Sequence, residues 1–159
     1  MSRKLWNPPP DVRQDFDDTC WAAVLEAFCA ASPGRPPITQ AEVVAQFDKF
    51  TFSATDGTLT RHGMHTMLRD VRFGMKTESV SNNYFSSTPA YLFGKLGAGM
   101  VIIAYWEQKI GGWHVGLIYG IDDSTVSYLN PDSKNGGFLK DEIGYFGQKG
   151  KLIVGWRAW

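Results

Sequence analysis

The chain changes hydrophobic period near its middle. Trp21, Val24, Leu25, Phe28 and Cys29 fall at i, i+3, i+4, i+7 and i+8, the stripe of a helix with one buried face. Asp18 or Thr19 stands where a cap belongs, so this helix is predicted to begin near Cys20 and to end at SPGRPP. Thr39 and Glu42 make the S/T-x-x-E pattern of a capping box, with Val43, Val44, Phe47 and Phe50 as the inner face of a second helix. SATDGT reads as a loop. A third helix is predicted over 61–72, with Met64, Met67, Leu68 and Val71 inward and Gly74 as its stop. MKTESV reads as a short strand, and STPAYLFGKLGAG as a short helix with Pro89 in its first turn.

Beyond residue 100 the pattern is that of strands. MVIIAYW (100–106), WHVGLIYGI (113–121), TVSYLNP (125–131) and KLIVGWRAW (151–159) are apolar, β-branched and aromatic. EQKIGG and DDS supply turns between the first three, and connections that short favour antiparallel pairing. NPDSKNGG reads as a turn-rich loop. Helices first and an antiparallel sheet second give an α+β fold, predicted as one domain over 1–159.

Composition narrows the function classes. An apolar share of 43%, with 14% aromatic residues, can fill a core. Lys+Arg and Asp+Glu balance at 16 each, which leaves no basic field for a phosphate backbone and argues against a nucleic-acid partner. No apolar run approaches the roughly 20 residues of a membrane span, so no membrane association is expected. The N-terminus has no apolar h-region, so no Sec signal is read there. Two cysteines are too few for a disulfide framework. The expected setting is the cytoplasm, or export without a Sec signal.

Those two cysteines are placed differently. Cys20 opens the first helix, where unpaired N–H groups and the macrodipole favour an anion, and a thiol there is drawn toward its nucleophilic thiolate. Cys29 lies nine residues on, roughly 13 Å along an ideal helix, and reads as a small core residue that cannot pair with Cys20. A nucleophilic cysteine needs a base. His62 and His65 fall on the polar side of the third helix and read as a solvated face, not a metal site. His114 lies in a strand among apolar neighbours. If 115–129 form a hairpin, its ends lie side by side, and Asn130 can bond one nitrogen of His114. Asp132, two residues on, is the competing orienter; Asn130 is preferred because it directly precedes Pro131. Gln14, six residues before Cys20, can aim a side-chain N–H at an oxyanion.

Gln14, five residues, then Cys20-Trp21 at a helix start, with a later strand His and an Asn or Asp after it, resembles the papain-like cysteine peptidases. GAGMVIIAYW, HVGLIYGIDDS and YLNP look closest to compact bacterial members, among them bacteriocin-leader peptidases and effector cysteine proteases. The resemblance implies a papain-like fold, N-terminal helices packed on a C-terminal sheet. It implies Cys20 as nucleophile, His114 as base, Asn130 or Asp132 as its orienter and Gln14 as oxyanion donor, without metal or cofactor. The implied activity is peptide-bond hydrolysis through an acyl-enzyme, on a protein or peptide substrate. A bacterial effector or toxin role follows by analogy, with a cognate inhibitor or immunity protein as a further partner. The alternatives are an amidase of peptidoglycan or other amides on the same scaffold, and a non-catalytic binding module. Residues 32–98 match no motif, so specificity is not implied.

Overall fold

A computed structural model describes residues 3–16, 18–50, 60–107, 112–147 and 151–158. The expected loop at SATDGT, and all of the EQKIGG turn but its end residues, lie outside them. The first helix, α1 (Cys20–Ala31), is the centre of one core layer. Nine of its 12 residues are buried, because Ala22, Ala23 and Ala27 are covered as well as the predicted stripe. Helix α2 (Gln40–Phe47) is capped by Thr39 as expected: its hydroxyl accepts from the Glu42 main-chain N–H at 3.2 Å and donates to the Glu42 carboxylate at 3.2 Å, so the carboxylate reaches the hydroxyl of the cap residue. Helix α3 (Arg61–Leu68) is shorter than expected. It stops at Leu68, the chain turns away, and Val71 is 88% exposed instead of inward. Gly74, at φ 58°, closes the turn that follows.

Seven strands form one sheet with every pair antiparallel: β1 (Arg3–Leu5), β2 (Met75–Ser81), β3 (Val101–Glu107), β4 (Gly112–Asp122), β5 (Thr125–Asn130), β6 (Gly137–Glu142) and β7 (Lys151–Arg157). Their order is β2-β7-β3-β4-β5-β6, with β1 beside the far end of β4. This is the expected α+β arrangement. The sheet also explains why its middle strands are apolar almost without a break. Ile102 and Ala104 of β3 face α1, while Val101, Ile103 and Tyr105 face the other way. That second face is covered by Phe85 of α4 (Asn82–Ser87), Leu92 and Leu96 of α5 (Pro89–Leu96) and Phe146 of the 3-10 turn at Ile143–Gly147. A strand covered on both faces loses its apolar–polar alternation. Each large side chain so buried contributes about 1.5–3 kcal/mol.

Strands β1 and β6 and helix α4 were not among the predicted elements. Thr19 occupies the cap position of α1, yet its hydroxyl does not cap; it bonds back to Phe16, accepting from its N–H at 3.2 Å and donating to its carbonyl at 3.1 Å. His65 corrects the reading of a solvated face. Its ring is half-buried against β2, with Nδ1 2.7 Å from the Thr77 hydroxyl and Nε2 3.2 Å from that of Ser79. Among the described residues no helix is long and apolar enough to cross a membrane, and no three His, Cys, Asp or Glu side chains gather as a metal would need.

Candidate active site

The hairpin β4–β5 turns at Asp123 and Ser124, with Asp123 at φ 54°. Its pairing runs from Asp122↔Thr125 back to Leu117↔Leu129, so Asn130 ends β5 just where β4 runs on through Gly116 and Val115 to His114. Here Asn130 Oδ1 lies 2.7 Å from His114 Nε2 and also accepts the Asp132 main-chain N–H at 3.0 Å. The second bond fixes the first. A main-chain N–H can only donate, so the Asn130 atom it meets is the oxygen. The His114 nitrogen beside that oxygen must then carry a proton. With Nε2–H committed to Asn130, Nδ1 is the nitrogen left for Cys20, which is among the groups that favour the protonated ring.

Cys20 is the first residue of α1, as predicted, but it is not open to solvent: it is 2% exposed, and its Sγ lies 4.0 Å from the Trp113 carbonyl oxygen. Cys29 is buried too, at 3%, and burial pushes its thiol up to about 11 against the opposing charges of Arg35 and Arg72. Burial pushes His114 the other way, toward the neutral ring. The hydrogen bond and charge of Cys20, the Asn130 bond and the Asp132 charge outweigh it, and the imidazole is raised to about 8. The Tyr105 ring meets His114 edge-on, with centroids 5.6 Å apart.

The competing orienter is engaged elsewhere. The Asp132 carboxylate accepts the main-chain N–H groups of Lys134 at 2.8 Å and Asn135 at 2.9 Å, and these bonds hold it below the usual carboxylate range. Gln14 is 7% exposed and is tied to both sides of the site. Its main-chain N–H donates to the Pro131 carbonyl at 2.8 Å, and its Nε2 donates to the Phe16 carbonyl at 2.9 Å. That same Phe16 oxygen receives the N–H and hydroxyl of Thr19, the residue before Cys20. Gln14 therefore sits between the start of α1 and the end of β5. Its Nε2 keeps a second N–H, and its Oε1 is buried without a hydrogen-bond partner. The geometry joins His114 to Asn130 and sets the Cys20 sulfur against the carbonyl of Trp113, the residue before His114, with Gln14 bonded to Pro131 and Asp132 just beyond it. Sequence reasoning missed Phe16 and Pro131, which enter through main-chain carbonyls that no side-chain pattern reveals.

No family model matches the sequence, and no curated protein does. Solved structures do. The peptidase domain of Streptococcus ComA, a bi-functional ABC transporter involved in a quorum-sensing pathway, superposes with a TM-score of 0.64 at 15% identity, over 92% of this chain and 96% of that one. A putative C39-like peptidase from Bacillus anthracis gives 0.61 at 11% identity, over 97% of both chains. A double-glycine-motif protease from an AMS/PCAT transporter, solved in complex with the leader peptide, gives 0.58 at 15% identity over 99% of both. The chain thus has the papain-like fold of the C39-like peptidase domains.

Proposed function

We propose that this chain is a cysteine peptidase acting on a protein or peptide substrate. Before substrate is attacked the Cys20 proton passes to His114 Nδ1, so the free enzyme meets its substrate with the ring protonated, and the sulfur then attacks the scissile carbonyl carbon. The oxyanion is met by the free Gln14 Nε2–H and by the N–H groups that a helix leaves unpaired at its start. As the tetrahedral species collapses, the imidazolium gives its proton to the departing amine and the C–N bond breaks, leaving a thioester. Water then attacks that thioester, His114 takes its proton, and the C–S bond breaks, releasing the acid and returning the sulfur beside the protonated ring. Asn130 holds the ring in the tautomer that this cycle needs.

The observation that carries the reading is the His114–Asn130 pair, oriented by the Asp132 N–H, beside a cysteine that opens a buried helix. A papain-like fold makes that juxtaposition chemically familiar, and the neighbour holding a leader peptide supports a peptide as substrate. The test is a cleavage profile over a peptide library, a protein mixture and cell-wall fragments, wild type against Cys20→Ala. Wild type should cut peptide bonds and the variant should cut none. Release of wall fragments alone would make the chain an amidase. Binding of peptides by both proteins with no turnover would make it a binding module.

A further inference from the structure

Gln14 lies on an irregular segment, yet an oxyanion donor works only if it is held still. A donor must stand about 2.7–3.1 Å from the developing charge, and a misplacement of about 1 Å is enough to lose most of its effect. A residue outside the catalytic set supplies the hold. Gln40, the first residue of α2, is only 6% exposed, an unusual place for a glutamine. Its Nε2 donates to the Arg13 carbonyl at 2.7 Å, and its Oε1 accepts the Asp15 main-chain N–H at 3.0 Å. One side-chain amide thus grips the backbone on both sides of Gln14, as a neighbouring strand would. The grip fixes the dihedrals around Gln14 and with them the direction of its Cα–Cβ bond.

Gln40 is itself registered to the helix of the nucleophile. Its main-chain N–H, one of the donors a helix start leaves unpaired, goes to the Glu26 carboxylate of α1 at 3.3 Å. Glu26 is six residues beyond Cys20 on the same helix, about 9 Å along it. A short path therefore runs from α1 through Glu26 and Gln40 to the 13–15 segment, and it returns to α1 through the Phe16 carbonyl that Gln14 Nε2 shares with Thr19. We infer that Gln40 is a positioning residue for the reaction, setting Gln14 against Cys20. This rests on the peptidase reading above.

Gln40→Met keeps the length of the side chain and removes both bonds; Gln40→Glu keeps the acceptor toward Asp15 and loses the donor toward Arg13. Both are compared with Gln14→Ala and with the Gln14→Ala/Gln40→Met double variant on one peptide cut by wild type, each variant checked by thermal melt. A merely structural role would lower stability and act alike in every background. A positioning role predicts that Gln40→Met lowers kcat about 10-fold or more with KM little changed, that Gln40→Glu falls between it and wild type, and that Gln40→Met costs almost nothing further once Gln14 is alanine. Equal factors in both backgrounds would overturn the inference. A readout without turnover keeps the two proposals separate: the Gln14 side-chain amide, followed by 15N relaxation, should be rigid in wild type and mobile in Gln40→Glu. If wild type cuts no peptide, the peptidase reading fails while this readout still decides the clamp. An equally rigid Gln14 in Gln40→Glu and Gln40→Met overturns it.

Discussion

His114 is pulled in two directions, and the balance sets how the proposed reaction responds to pH. Burial disfavours the imidazolium; Cys20, Asn130 and Asp132 favour it more, and the ring is raised to about 8. In the cycle above the imidazolium protonates the leaving amine, so kcat/KM should fall as pH rises through about 8. Asn130 is among the groups that raise His114, and removing a raising influence lowers the pKa. Asn130→Ala should therefore move this alkaline limb to lower pH and also cut turnover about 10-fold or more, because the ring loses its fixed tautomer. Asp132→Ala should cost less. Its carboxylate bonds Lys134 and Asn135 and reaches His114 only through space. A pH–rate series on both variants decides the matter, and a nearly dead Asp132→Ala beside a nearly normal Asn130→Ala would put Asp132 in the triad. The residue types were legible in the sequence because Cys20, His114, Asn130 and Gln14 each have few rivals. Their burial was not, since what covers Cys20 comes from other elements.

Element by element, what the sequence disclosed depended on how much of each element is buried. Helices α1 and α2 and strands β3, β4, β5 and β7 present long apolar patterns and were readable. Strand β6 lies at the sheet edge and has alternating exposure with a charged half, while α4 buries only Phe85 and announces itself through the Ser81 hydroxyl at its cap. Strand β1 is three residues long. The loop NPDSKNGG was legible as a turn, but its tightness was not. Gly136 is pressed against the main-chain carbonyls of Asn130 and Asp132, and a Cβ there would overlap both. Its N–H donates to the Asp132 carbonyl at 3.1 Å. Gly136→Ala must therefore displace the turn that carries the orienter. The expected result is a loss of kcat at least as large as that of Asn130→Ala, together with a lower melting temperature. Wild-type kinetics in this variant would mean that the turn does not hold Asn130 in place.

At the scale of the molecule, the candidate site draws on both faces of the sheet. Cys20 lies in the core layer on the α1 side, whereas His114, directly opposite Tyr105 in the strand pairing, shares the other face with an aromatic cluster around Phe146. Its ring meets Phe85 at 6.4 Å, Tyr105 at 5.4 Å, Tyr128 at 4.8 Å and Tyr145 at 5.4 Å between centroids. The chain order already implied helices on a sheet, but not that α4, α5 and the 3-10 turn cover the second face, because both faces of β3 and β4 read as one apolar run. Phe146→Ala removes the hub of that cluster and should destabilise by about 3–5 kcal/mol, a large part of the 5–15 kcal/mol typical of a domain. For a chain of this length that corresponds to a melting point lower by roughly 10 °C. One path leads from Phe146 toward the site, through Tyr105 to the edge of His114. Tyr105, however, lies within β3, paired to β4 directly opposite His114, so its backbone position does not depend on Phe146. Well below its own melting point, Phe146→Ala should thus keep kcat/KM within about 3-fold of wild type and leave the alkaline limb where it was. A limb displaced along with the stability would show that the aromatic cluster, and not the strand pairing, sets the ring of His114.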